Sequence, residues 1–226
     1  AILAGCSGCK DEEQPSGVDF SVSYKATYNG AQVEKNKDYV FGAFPLQFIR
    51  YRLYLSDITL LKASGEEIRL AEVEYLDFFP DAATTDLSVT PKITYQHVPE
   101  GTYSGIRLGF GVKPSLNAKK PSDFSTGHPL NDETDYWSGW KSYIFSVLDG
   151  KADPENDGTK NLTFSYHCGS DAVFKTFSFT KQIEVVNGQP GIEISFDVLK
   201  FLSSADGSLY DIQANPATSN NASNVE

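Results

Sequence analysis

Side chains of alternating polarity recur along this chain, and they limit what it can fold into. Val18, Phe20, Val22, Tyr24 and Ala26 alternate with Asp19, Ser21, Ser23, Lys25 and Thr27. A period of two puts one set on each face of an extended strand, so this segment is a half-buried strand. Leu162, Phe164, Tyr166 and Cys168 alternate with Thr163, Ser165 and His167 in the same way, and Ile192, Ile194, Phe196 and Val198 form another such face. In the longer run Leu46–Leu61, Ile49, Tyr51, Leu53 and Leu55 fall on one side and Arg50 and Arg52 on the other. Asn29-Gly30, Ser64-Gly65, Pro99-Glu100-Gly101 and Asn187-Gly188 are turn signals between such runs. Shorter strand candidates are Glu67–Leu70, Val73–Phe79, Lys92–Val98, Tyr143–Leu148, Phe174–Phe179 and Gln182–Val186, with a loop opening at Pro80-Asp81. In Tyr103–Val112, Ile106, Leu108, Phe110 and Val112 read as inward, while Gly105, Gly109 and Gly111 leave room for a bulge or a close backbone approach. Many short strands and no convincing amphipathic helix predict an all-β fold, a single antiparallel β-sandwich with long loops.

The two ends read differently. Residues 1–6, Ala-Ile-Leu-Ala-Gly-Cys, resemble a bacterial lipobox, in which the thiol of Cys6 carries the lipid. A polar stretch with Asp11, Glu12, Glu13 and Pro15 follows, so residues 1–17 are expected to be a lipobox remnant and flexible tether. Residues 18–213 are then the folded domain, and the Asn- and Ser-rich residues 214–226 a disordered tail. The expected location is the Gram-negative cell envelope, with the membrane reached through the lipid anchor. Cys9 and Cys168 either pair in that oxidising compartment or Cys168 is a buried free thiol. Thirty acidic against nineteen basic side chains give a net charge of -11, and no Lys/Arg cluster interrupts it. Such a surface repels phosphates, so no nucleic-acid partner is expected, and cations are the natural small ligands.

Lys113–Thr134 is the longest stretch without strand character, and it runs into the segment His128–Phe145, which holds both tryptophans. Loops of this length in a compact domain are usually functional or disordered. His128 is held extended by Pro129, and His167 projects from the polar face of its strand. An imidazole from a loop and one from a strand can share copper or zinc, or the two can be unrelated. His97, at a strand end, reads as structural or solvent-facing. Asp153, Asn156 and Asp157 offer oxygen ligands around a turn, a weak calcium candidate beside the plainer reading of an acidic turn. No nucleophile-elbow, phosphate-loop or zinc-protease motif occurs, and an enzyme is not expected. Asp132, Glu133 and Asp135 could flank a sugar, and Tyr136, Trp137 and Trp140 could form an aromatic platform or pack in the core.

Several segments occur in a familiar order: Tyr54-Leu-Ser-Asp-Ile-Thr-Leu with Gly65 following, Val98-Pro-Glu-Gly-Thr-Tyr-Ser-Gly-Ile-Arg-Leu-Gly-Phe-Gly-Val112, His128-Pro-Leu, the Trp/Tyr/Phe segment ending at Gly150, and Phe164-Ser-Tyr-His-Cys-Gly169. Together, over about residues 18–200, they resemble the MbnP-like family of copper-binding β-sandwich proteins, related to CorA and MopE. The resemblance implies an exported protein for copper uptake, storage or handling, with His128 and His167 as the matching metal ligands. It further implies a kynurenine, made from Trp137 or Trp140 by a partner dihaem peroxidase, with Tyr136 as a neighbouring wall residue. The chain departs from the family pattern: no Met precedes the tryptophans, an extra residue separates them, and Ser142 stands for Gly. Thr126-Gly127, just before His128, contains no tryptophan to modify. The alternative function is a surface lipoprotein that binds a glycan or protein through the Trp137/Trp140 loop.

Overall fold

The computed structural model describes residues 17–79 and 87–219. Cys6, Cys9, the tether and the loop opening at Pro80 lie outside the described residues.

Alternation becomes strand wherever one face can be buried. In chain order the strands are β1 (Val18–Tyr28), β2 (Ala31–Gln32), β3 (Tyr39–Phe41), β4 (Phe44–Leu61), β5 (Glu67–Asp77), β6 (Lys92–Val98) and β7 (Gly101–Phe110). They continue with β8 (Tyr136–Trp137), β9 (Ser142–Tyr143), β10 (Ser146–Ala152), β11 (Leu162–Cys168), β12 (Lys175–Val185), β13 (Ile192–Asp197) and β14 (Ala217–Ser219). Two short helices, α1 (Pro114–Asn117) and α2 (Val198–Phe201), complete the set, and neither is long and apolar enough to cross a membrane.

Two sheets face each other across the main core. The smaller is β13-β1-β2 with β6 also on β1, and the larger runs β12-β7-β4-β10-β11-β14 with β3 and β5 also on β4. The fold is the expected all-β sandwich, and most pairings are antiparallel. The exceptions are β1 with β13 and β11 with β14, which are parallel. Phe20, Val22, Tyr24 and Ala26 from the small sheet meet Leu46, Phe48, Tyr51, Leu53, Leu55, Leu76 and Phe78 from the large one, all buried. Tyr51 stacks on Phe78 with centroids 4.9 Å apart, and the buried hydroxyls of Tyr24 and Tyr95 pair at 3.1 Å, so these two polar tips satisfy each other in the core.

Several expectations need correcting, each for a local reason. Ile49 does not share the face of Tyr51: a bulge opposite Asp149/Gly150 shifts the parity, and Leu46 and Phe48 take the inward positions. Val112 leaves the face of Ile106 and Leu108 because Gly111 has φ +95°, and it joins a separate cluster. Glu67–Asp77 is one strand, because it pairs along most of β4. Lys175–Val185 is also one strand, carried past a bulge between Thr180 and Ile183. The strand expected over Tyr143–Leu148 instead runs Ser146–Ala152, because Asp149–Ala152 sits between β4 and β11. Ala217–Ser219, expected within a disordered tail, adds a strand beside Ser165–His167.

The 18-residue β4 positions everything that follows. Its first half pairs with β10 and its second half with β7, along the same edge. The junction is Tyr54, whose N–H donates to the Phe145 carbonyl (2.9 Å) and whose carbonyl accepts the Gly111 N–H (2.8 Å). Residues 111–145 therefore leave the sheet at Tyr54 and return there. Between those points they pack on the outer face, where Tyr54, Val73, Val112, Leu116, Leu130, Tyr143 and Phe145 form a second buried cluster.

Candidate functional site

The excursion over the outer face is tied down by side-chain to backbone bonds. Ser56 Oγ donates to the Gly111 carbonyl (2.7 Å) and accepts the Lys113 N–H (3.0 Å), fixing its start. Lys113 Nζ bridges Asp57 (2.9 Å) and Glu72 (2.8 Å). Buried Asn117 accepts the Tyr143 N–H (2.9 Å) and donates to Asp171 (2.9 Å), and the Tyr143 hydroxyl donates to the Leu130 carbonyl (2.7 Å). Asn131 donates to the carbonyls of Pro121 and Phe124. A long loop crossing a sheet face must satisfy its backbone in this way.

Between the loop and the sheet lies a cavity of about 890 Å³. Arg52, Tyr54, Tyr75 and Asp77 come from the sheet, and Gly127–Pro129 and Asn131–Asp135 from the loop. The volume is within the usual small-ligand range. An ion pair joins its two walls: Arg52 Nη2 donates to Asp135 Oδ1 at 2.8 Å, with the side chains 13% and 3% exposed. Tyr75 lines the same cavity beside this pair. Burial pushes the Asp135 carboxyl above its ordinary range, opposed by the Arg52 charge. The sequence pointed to Asp132, Glu133 and Asp135, but not to their partners. The available signal was an arginine in the middle of a long apolar strand.

His128 stands on the loop side of this cavity. Its ring stacks on Phe124 with centroids 4.5 Å apart and planes 16° from parallel. Its Nδ1 accepts the Leu130 N–H at 3.1 Å. Burial lowers its pKa, so the ring is neutral at neutral pH, and the bond to Nδ1 places its proton on Nε2.

His167 is elsewhere. It projects from β11 onto the polar face, as expected, opposite Val147, which in turn lies opposite Arg52. Its Nε2 meets Asp149 Oδ1 at 2.9 Å and Ser165 Oγ at 3.1 Å, while Arg50 Nε holds the other Asp149 oxygen at 3.1 Å. Despite its own burial, which acts the other way, Asp149 is held below the usual carboxylate range by these hydrogen bonds and charges. An ionised carboxylate only accepts, so His167 carries its proton on Nε2. Ser165 and Asp149 meet the same ring nitrogen, so the three do not form a hydrolase relay, which needs them on opposite nitrogens. His128 and His167 share no hydrogen-bonding or ring partner, and His167 does not line the cavity.

The remaining candidates are dispersed. Trp137 and Trp140 stack on the β8–β9 hairpin with centroids 3.9 Å apart, and Trp140 is 36% exposed. Neither lines the cavity. Tyr136 packs against Tyr143 (5.0 Å) at the rim of the second cluster. Asp153 is buried and accepts the N–H groups of Asp157 (3.1 Å) and Gly158 (2.8 Å), while Asn156 donates to Ala43 and Asp157 accepts from Thr159. Asp153 and Asp157 close the turn on its own backbone, and Asn156 ties it to Ala43. His97 is exposed. Cys168 is half-buried, and its carbonyl accepts the Phe145 N–H. Among the described residues, no group of three or more His, Cys, Asp or Glu is placed to hold a metal ion.

No curated protein is significantly similar in sequence. A solved structure, MbnP from Methylosinus trichosporium, superposes with a TM-score of 0.56 at 15% identity, covering 90% of this chain and 81% of that one. At this identity the likeness speaks for the fold. A model of the MbnP family matches residues 17–222, which takes in both sheets, the cavity and the two histidines. The chain belongs to the MbnP family.

Proposed function

We propose that this protein is a lipid-anchored envelope protein that binds copper for uptake, storage or handling, and that ligands enter at the cavity beside His128. The family match over residues 17–222 carries the copper reading. The cavity location is supported by its imidazole, its carboxylates and its size. The Ala-Ile-Leu-Ala-Gly-Cys run supports lipid on Cys6, tested by incorporation of labelled fatty acid that a Cys6→Ala variant loses.

The finer expectation is one copper ion shared by His128 and His167, and the residues as seated do not fit it. Each ring has one nitrogen committed to a hydrogen bond, and the two rings have separate surroundings. A kynurenine from Trp137 or Trp140 would not join His128 in this arrangement either, because neither indole lines the cavity. That modification and the dihaem peroxidase partner rest on the family resemblance. Competition of the purified domain with a chromophoric Cu(I) chelator tests the function: uptake unaffected by combined His128→Ala and His167→Ala substitution would sink it.

The second reading, glycan or protein binding through the aromatic loop, is favoured by one observation. A stacked indole pair sits on an exposed hairpin, where its outer face is open to a flat partner. Binding lost in Trp140→Ala without any metal response would favour it.

A further inference from the structure

We infer that this chain does not assemble the shared two-histidine site: His167 is a structural residue of the outer sheet face, and copper entering the cavity meets one imidazole, that of His128. Two nitrogens on one metal at about 2.0–2.1 Å each lie within ~4 Å of one another. His167 lies two strands from Arg52 across β10, a lateral offset of roughly 10 Å at ordinary strand spacing, on the side away from β5. His128 is on the β5 side, lining the cavity with Tyr54 and Tyr75 and feeling the Glu72 charge, and the carbonyl of its neighbour Pro129 accepts from the Tyr54 hydroxyl at 3.5 Å.

The hydrogen bonds at the two rings act differently. A metal on Nε2 of His128 would need the ring proton on Nδ1, where it would face the Leu130 N–H, donor against donor. His128 therefore ligates only after its ring turns or its turn opens. Nε2 of His167 donates to Asp149, whose other oxygen is bound by Arg50. Nδ1 of His167 is left open among the described residues, so what keeps His167 from the cavity is its place across β10; turning the ring to bring Nε2 to a metal would also leave a half-buried carboxylate short of a donor. His167 thus holds Asp149, and through it Arg50 and Ser165, across β4, β10 and β11.

Nitrogen-15 NMR of the histidine rings, with and without Cu(I), tests this directly. The expected result without metal is the Nε2–H tautomer at both rings, with a coupling from His167 Nε2–H to the Asp149 carboxylate. With one equivalent of Cu(I), only the His128 ring nitrogens move. His167→Gln, which keeps an amide donor, changes the Cu(I) dissociation constant by less than about threefold, whereas His128→Gln raises it about tenfold or more. Ligation shifts at both rings, or a tenfold weakening in His167→Gln, would overturn the inference. Failure of the wild-type domain to take up Cu(I) would sink the copper reading alone, and the metal-free tautomers would then decide the inference. A His167 ring with no proton on Nε2 would overturn it.

Discussion

Gly111 is where the sheet releases the segment that builds the cavity, so its replacement tests that construction. At φ +95°, a Cβ on residue 111 would lie 2.2 Å from Cδ2 and 2.6 Å from Cγ of Phe145. Phe145 is fully buried and its carbonyl accepts from Tyr54, so the ring has little room to yield. The backbone penalty for a side chain at positive φ is about 1–2 kcal/mol. Forcing a buried ring aside adds about 1–3 kcal/mol, so Gly111→Ala should cost roughly 2–5 kcal/mol. Gly65→Ala is the control: it has φ +89° with nothing within 4 Å, so it reports the backbone penalty alone. Urea unfolding followed by Trp137/Trp140 fluorescence gives both values, and Phe145→Leu should partly rescue Gly111→Ala and not Gly65→Ala. A Gly111→Ala loss no larger than that of Gly65→Ala would refute the close packing of the two arms at Tyr54.

Removing one partner of the buried pair by Asp135→Asn should cost about 3–5 kcal/mol by leaving the Arg52 charge uncompensated, while an apolar replacement of both costs less, as denaturant midpoints will show. Asp149 has a lowered pKa in the fold, so its stabilisation is full above the ordinary carboxylate value of about 3.9 and is lost as pH falls through the lower folded value. Urea titrations at stepped acid pH should therefore show a smaller acid-side slope in Asp149→Asn than in the parent. The Trp137–Trp140 stack should give an exciton couplet in the far-ultraviolet circular dichroism, abolished by Trp140→Leu with little loss of stability. Gly150→Ala should destabilise strongly, since its Cβ would meet Phe164 at 2.2 Å and the Gln47 carbonyl at 2.3 Å.

Strand identity was legible wherever one face is buried. Lys92–Val98 and Leu162–Cys168 match their strands residue for residue, because alternation is a direct image of a two-faced sheet. Bulges were not legible: nothing in Phe48-Ile49-Arg50 announces that Ile49 falls out of phase, since a bulge is set by the partner strand. The run of β10 past Leu148 to Ala152 was not legible for a similar reason, as a central strand can carry Asp149 when Arg50, Ser165 and His167 satisfy it. In the site, His128 and the 132–135 carboxylates were visible as polar residues in a long loop. Arg52, Tyr54 and Tyr75 were not, because their role depends on a loop folding back over the outer face. The His128–His167 pairing could not be judged from the sequence at all, since thirty-nine residues of separation say nothing about distance.

The most direct test of copper handling at the His128 cavity is a Cu(I) competition titration of the wild-type domain and its two single histidine variants. The account predicts one Cu(I) per wild-type chain, binding weakened about tenfold or more in His128→Gln, and near-wild-type affinity in His167→Gln. A wild-type chain that takes up no Cu(I), or a His128→Gln chain that binds as tightly as wild type, would contradict it.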